Sequence, residues 1–176
     1  MVMAMAEGRG EVTDHLLLQV LEQPDPPPAL IVVRAWWLLL VNRFDEAEAL
    51  VRKDSFARAA EASGQPEAVK VLDGFIALGR GHFQASLEIF SRILDAVPDC
   101  LDAIRGMQTI LAQSPGLLEE KEFIRRMKKA LRTTENPLKN RQLIFILEQY
   151  RSWKAAGSPR GEALGGQGAP SGGELK

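Results

Sequence analysis

An all-α fold of stacked antiparallel helix hairpins is predicted by three observations. Apolar residues recur at helical spacing through most of the chain, while the alternation of β-branched residues that marks strands is absent. Proline, glycine and capping residues punctuate these periodic stretches at regular intervals. One stretch also echoes another at an offset of 39 residues, from Phe44 to Phe83. With 176 residues the chain is long enough to bury a core without covalent staples.

The elements follow from the punctuation. Thr13 can cap a first helix to about Gln23, and the run QPDPPP then breaks the chain. Pro28 suits the first turn of a second helix to about Val41. VNRFDE separates that from a long third helix ending near SGQ, and Pro66 suits the first turn of a fourth that ends around GRG. GHFQASLEIFSRILDAVPD, 81–99, forms the fifth, halted by Pro98 because the residue before a proline is displaced from helical geometry. Asp99 is placed to cap the sixth, Ser114 with Pro115 to start the seventh, and Asn136 with Pro137 to start an eighth reaching about Ala155. That last helix carries Leu138, Leu143, Ile146, Leu147 and Tyr150 as one apolar face. The domain is thus expected over 13–155, with a flexible segment at 1–12. A disordered tail is expected at 156–176, because its last 20 residues hold seven Gly and two Pro and bury too little to offset ordering entropy.

Composition narrows the setting. Cys100 is the single cysteine and cannot form an internal bridge, and no charged leader with an apolar core stands at the N-terminus, so a reducing, cytoplasmic compartment is expected. The longest apolar run, Ala29 to Val41, spans 13 residues and contains Arg34, against roughly 20 needed to cross a bilayer. It reads as a buried helix, not a membrane span. Charge is unevenly placed: residues 121–154 hold ten Lys or Arg against three Glu, a net +7 that leaves −8 for the rest of a chain totalling −1. A solvated helix face accounts for such charge, and a surface for an acidic partner is the functional alternative.

The repeat has a packing logic. Gly74 stands 12 residues before Ser86, with Phe83 three before that serine, Phe90 four after it and Pro98 closing the unit. Ala35, Ala47, Phe44 and Val51 reproduce the spacing one unit earlier, where NRFDEAEALV lies beside GHFQASLEIF. Small residues at both crossing points let two helices approach, and the larger residues fill the space between a pair and its neighbour. A hairpin cannot cover its own apolar face, so hairpins stack.

In these residues the chain resembles the tetratricopeptide repeat family, over 28–98. The tryptophan and leucine usual early in that family's first helix are Lys70 and Asp73 here, and the offset exceeds the family's period of about 34. A third unit over 100–137 shares the two-helix layout, with Ile104, Met107 and Leu111 as its apolar stripe. It lacks a small residue after the turn. The resemblance implies an α-solenoid of about three hairpins with the eighth helix as a C-terminal cap.

Catalytic chemistry finds little footing. His15 and His82 lie in separate units without partners at metal-ligand spacing, so no metal or other cofactor is expected. Cys100 sits at a helix start, where the dipole can lower a thiol pKa, but nothing adjacent supplies a base. GFIALGRG has glycines but neither the lysine-serine end nor the preceding strand of a phosphate loop. The carboxylates of FDEAE and LLEEKE suit the first turns of helices.

Binding surface remains. The resemblance implies that the first helix of each pair lines a concave groove whose ridge is Val32, Trp36 and Leu39, then Val71, Phe75 and Leu78, then Arg105 and Thr109. Family members that clamp a C-terminal carboxylate carry lysine and asparagine where this chain has Val32 and Trp36. A non-enzymatic adaptor, scaffold or chaperone is therefore expected, holding an apolar or amphipathic segment of another protein, with self-association left open. Aromatic residues at helical spacing are equally explained as core. The alternative is a nucleic-acid-binding or regulatory protein using the basic helices over 121–154, with Arg125, Arg126, Lys128, Lys129 and Arg132 as its surface. Phe123 is the only aromatic residue from 121 to 141, too few for a stacking platform, which ranks that alternative second.

Overall fold

The computed structural model describes residue 12 and residues 14–22 and 26–156. Thr13 as a cap, and nearly all of the expected flexible N-terminus and tail, fall outside those residues. Among the described residues the protein is all-helical, apart from an isolated bridge between Pro115 and Leu118 in a turn. A short helix α1 occupies residues 14–21. It is followed by α2 (Pro28–Leu40), α3 (Phe44–Val51), α4 (Asp54–Ala62) and α5 (Ala68–Gly79), then α6 (Phe83–Ala96), α7 (Leu101–Gln113), α8 (Glu120–Thr133) and α9 (Pro137–Ala155). Helices adjacent in sequence pack together, and α2 also meets α5, α5 meets α7, and α7 meets α9.

Two of the connecting turns share one geometry. Asn42 after α2 and Gly81 after α5 both take the left-handed conformation, with φ of 60° and 77°. Asn42 N–H donates to the Leu39 carbonyl at 3.1 Å and Arg43 N–H to Leu38 at 2.8 Å; Gly81 donates to Leu78 at 3.0 Å and His82 to Ala77 at 2.8 Å. These paired bonds close a helix and reverse the chain. Glycine and asparagine adopt that φ at least cost. The 39-residue offset therefore holds for the turn as well as for the helices around it.

The long third helix expected from 44 onward is instead two. Lys53 is extended (φ −76°, ψ 137°) and separates α3 from α4 without proline or glycine. The reason is phase. Continuing the face that buries Ala47 and Val51 would turn Asp54 and Arg58 inward. Breaking the helix resets the face, so that Phe56, Ala59 and Ala60 are buried while Asp54 and Arg58 stay in water. Burial has overridden local helix propensity.

Two other starts differ from expectation. Glu119, not Ser114, precedes α8; Pro115 and Gly116 belong to a turn that buries Leu118. Asp99 makes no cap. Its carboxylate accepts from Lys139 Nζ at 3.2 Å, tying the start of α7 to α9. Asn136 caps α9 through its side-chain oxygen, which accepts from Leu138 and Lys139 N–H at 2.9 and 3.3 Å. Leu143, Ile146 and Tyr150 form the buried face of α9 and Leu147 is half-buried, but Leu138 is 68% exposed because its spacing to Leu143 puts it on another face.

The centre of the molecule is Phe90. Its ring is fully buried in α6 and lies between glycines of two neighbouring helices: a methyl group at Gly74 of α5 would stand 2.5 Å from it, and one at Gly106 of α7 2.2 Å. Ser86, one turn before Phe90, is also fully buried and donates its hydroxyl to the Gly74 carbonyl at 2.8 Å. Phe75 packs edge-on against Phe90, with centroids 5.1 Å apart. Around this site one apolar cluster runs from α5 to α9, and a second joins α2, α3, α4 and α5; Trp36 touches both.

Arg34, the charge inside the apolar run, explains how α1 is seated. Its guanidinium lies 3.0 Å from the Asp14 carboxylate of α1, with the two side chains 11% and 17% exposed. Arg43 also binds Asp14, and Glu46 as well. A shielded cation in an apolar helix has been given an anion from the preceding element.

Substitutions at the centre have an unusual expected sign. An exposed helical glycine replaced by alanine gains about 1 kcal/mol, yet Gly74→Ala and Gly106→Ala must displace the Phe90 ring and should lose about 1 to 3 kcal/mol by overpacking. Phe90→Ala should lose about 3 to 5 kcal/mol as a buried aromatic truncation. Urea melts measure all three; stabilisation by either alanine would contradict the packing described.

Tyr150 offers an independent probe, because it is the only tyrosine in the chain. It is buried between α8 and α9, and its phenol is pushed up from 10.0 to about 12 by burial, with the Glu120 carboxylate adding to the effect. The folded state holds this proton more tightly than the unfolded state. Its stabilising contribution is therefore complete below pH 10.0 and is lost as pH rises toward 12. Phenolate absorbance of the folded protein should show a midpoint near 12, lowered in Glu120→Gln. An ordinary midpoint in the parent would show that α9 does not close over α8.

Candidate functional site

The eight residues expected to line a groove divide into two groups. Val32, Val71 and Leu78 are core residues, 1%, 3% and 8% exposed. A partner cannot reach them, which corrects the expectation for these three. They are covered because α2, α5 and α7 touch one another directly, so the ridge on each helix is spent on the next. Trp36, Leu39 and Phe75 are half-buried, Thr109 is half-buried and Arg105 is exposed.

What stays accessible is an aromatic contact across α2 and α5. Trp36 and Phe75 meet edge-on, with centroids 5.4 Å apart and planes inclined at 64°. Phe75 continues onto Phe90, so the accessible pair is braced by the most confined ring in the protein. On α7, Thr109 donates its hydroxyl to the Arg105 carbonyl at 3.0 Å. Leu40, at the end of α2, is the most exposed large apolar residue among those described.

The basic surface is also divided. Arg126 is well shielded and serves the fold: it donates to Glu122 at 2.7 Å, to Asp95 of α6 at 3.0 Å and to the Ser91 carbonyl at 3.3 Å. Arg125 pairs with Glu122 at 2.6 Å. Hydrogen bonds from Arg125 and then Arg126 hold the Glu122 carboxyl below its ordinary range. Lys128, Lys129 and Arg132 are exposed, and make no ion pair with a described residue.

Groups with chemical potential are scattered. The Cys100 thiol is pushed up by burial, which outweighs the N–H groups of Ala103 and Asp102 at the start of α7, so the lowering expected from a helix start does not prevail. His15 faces Gln19 at 3.0 Å and His82 is exposed in the α5–α6 turn. Between α5 and α6 lies a groove of about 380 Å³ lined by Lys70, Asp73, Ile89, Arg92, Ile93 and Val97. Among the described residues no three His, Cys, Asp or Glu come together as metal ligands. Among them, too, no helix is long and apolar enough to cross a membrane.

Gly106 is the residue that reading the sequence missed. It supplies the small surface in the third unit, from the helix before the turn instead of the one after it. Comparison with protein-family models, with curated proteins and with solved structures gave no match.

Proposed function

We propose that this chain is a non-enzymatic protein-interaction module, an adaptor or chaperone built as a tetratricopeptide-like stack of about three hairpins closed by α9. The matched turns at Asn42 and Gly81 support the repeat, as does the succession of contacts from α2 to α5, α7 and α9. The single cysteine supports a reducing, cytoplasmic setting. The partner is another protein, presenting an apolar or amphipathic segment to a strip running from Leu39 and Trp36 across Phe75 toward Thr109 and Arg105. No cofactor takes part.

The half-open Trp36–Phe75 pair carries this reading. An aromatic pair fixed from below and accessible from above presents a large rigid contact at little entropic cost. A carboxylate clamp does not suit it, since Val32 is core and Trp36 carries no charge.

Capture from native extract provides the test. A partner held by apolar burial should be retained equally at low and moderate salt. Thr109→Arg, which obstructs the strip without entering the core, should prevent its capture. Trp36→Ala, checked for folding, should weaken binding about 30-fold, corresponding to the ~2 kcal/mol of an aromatic anchor. Full retention by both folded variants would overturn the reading.

A further inference from the structure

The outer side of the α8–α9 pair combines two features that the strip described above does not use. Lys121, Arg125, Lys128 and Arg132 recur at i, i+4, i+7 and i+11 on α8, which places them on one face. That face is opposite the buried Phe123, Met127 and Ala130. It is exposed throughout.

Beside it runs an apolar seam. Three contacts fix the rotation of the two helices. Phe123 meets Tyr150 with centroids 5.2 Å apart, Lys154 binds Glu120 at 2.5 Å, and Arg126 reaches back to Asp95 at 3.0 Å. At about 100° per residue, these put Ile124 and Leu131 of α8, and Ile144 and Leu147 of α9, along the solvent side of the helix contact. Ile124, Leu131 and Leu147 are half-buried against the core, and Ile144 is 44% exposed. The seam is therefore recessed. Lys121 and Lys128 border it on α8 and Arg151 on α9, all exposed and without an ion pair to a described residue. Glu148 is the exposed carboxylate nearest Ile144 on α9. Glu122 lies on the α6 side, engaged by Arg125 and Arg126.

We propose that this face is a second docking surface, for an acidic amphipathic helix of a partner protein that lays its apolar stripe along the α8–α9 seam between flanking cations. Charge complementarity specifies the occupant: a net +7 over 121–154 calls for an anionic ligand, and the aliphatic seam calls for one with apolar side chains at helical spacing. Nucleic acid fits less well, because no aromatic side chain lies in the seam for bases to stack on; Phe145 and Trp153 fall on other sides of α9. A recessed line also suits a groove-binding helix better than a lipid surface, which takes a protruding apolar face.

The test uses the full chain and fluorescein-labelled probes read by anisotropy. One probe is a synthetic peptide of about five helical turns with leucines at i, i+3, i+4 and i+7 and glutamates elsewhere. A second has the same composition with the periodicity scrambled. The third and fourth are a single-stranded oligonucleotide and vesicles of phosphatidylserine with phosphatidylcholine. The periodic peptide should bind at least about tenfold more tightly than the scrambled one, with affinity falling as salt rises. Lys128→Glu with Arg132→Glu, and separately Ile144→Asp, should each weaken it about tenfold or more; all three are exposed, and circular dichroism checks that the fold persists. Thr109→Arg should leave this binding unchanged, which separates failure here from failure of the Trp36–Phe75 strip. Equal binding of both peptides, insensitivity to Ile144→Asp, or preference for the oligonucleotide or the vesicles would overturn the proposal.

Discussion

Everything from α5 to α9 depends on one ring held between two glycines. Phe90 projects from α6 into a space that exists because neither Gly74 nor Gly106 has a side chain there. Removing water from the faces of a phenyl ring stabilises by a few kcal/mol, and the two helices that supply those faces are thereby fixed at a close separation. Ser86 sets the depth of the same approach, since its hydroxyl satisfies the Gly74 carbonyl in the dry interior. The arrangement is general in form. At α2 and α3 the corresponding residues are Ala35, Ala47 and Val51, all buried, with a smaller side chain matched to a slightly larger neighbour.

Around this apolar spine the charged groups act as ties between successive elements. Arg80 at the end of α5 reaches Glu48 of α3 at 2.7 Å as well as Asp45, Arg126 joins α8 to α6, and Lys139 joins α9 to Asp99 before α7. Exposed pairs of this kind are each worth less than about 1 kcal/mol. Their role is to choose among orientations that the apolar contacts alone would nearly equally permit. The shielded Arg34–Asp14 pair is different, because losing either member would strand the other against apolar surface. The cations left over, chiefly on α8, stand beside a seam that the core does not fill.

Much of the fold was legible because its determinants are local. Pro28, Pro98 and Asn136 mark helix ends through backbone sterics and capping that act within a few residues, and the Gly74–Ser86–Phe90 spacing is a direct print of helix crossing. What escaped was decided by phase and by distant partners. The α3–α4 break has no proline or glycine, yet Asp54 and Arg58 fall where the Ala47–Val51 face would continue, and that mismatch was present to be read. Asp99 looked like a cap and is a partner for Lys139, forty residues on. The site was less legible than the fold. Val32, Val71 and Leu78 lie on one face with Trp36 and Phe75, and a sequence does not distinguish the part of an apolar ridge covered by the next helix from the part left open. Gly106 was visible only as a glycine in a helix until Phe90 was placed against it.

The dependence on Phe90 can be measured by a double-mutant cycle between positions 90 and 106, read by urea denaturation. In the parent, alanine at 106 collides with the ring. In a Phe90→Leu background the smaller side chain leaves room, so Gly106→Ala should become neutral or stabilising by up to about 1 kcal/mol, the ordinary helix-propensity gain. The account predicts a coupling free energy of at least about 1 kcal/mol in favour of the double variant. Strict additivity of the two substitutions would contradict it, since residues that do not share a contact have no reason to couple.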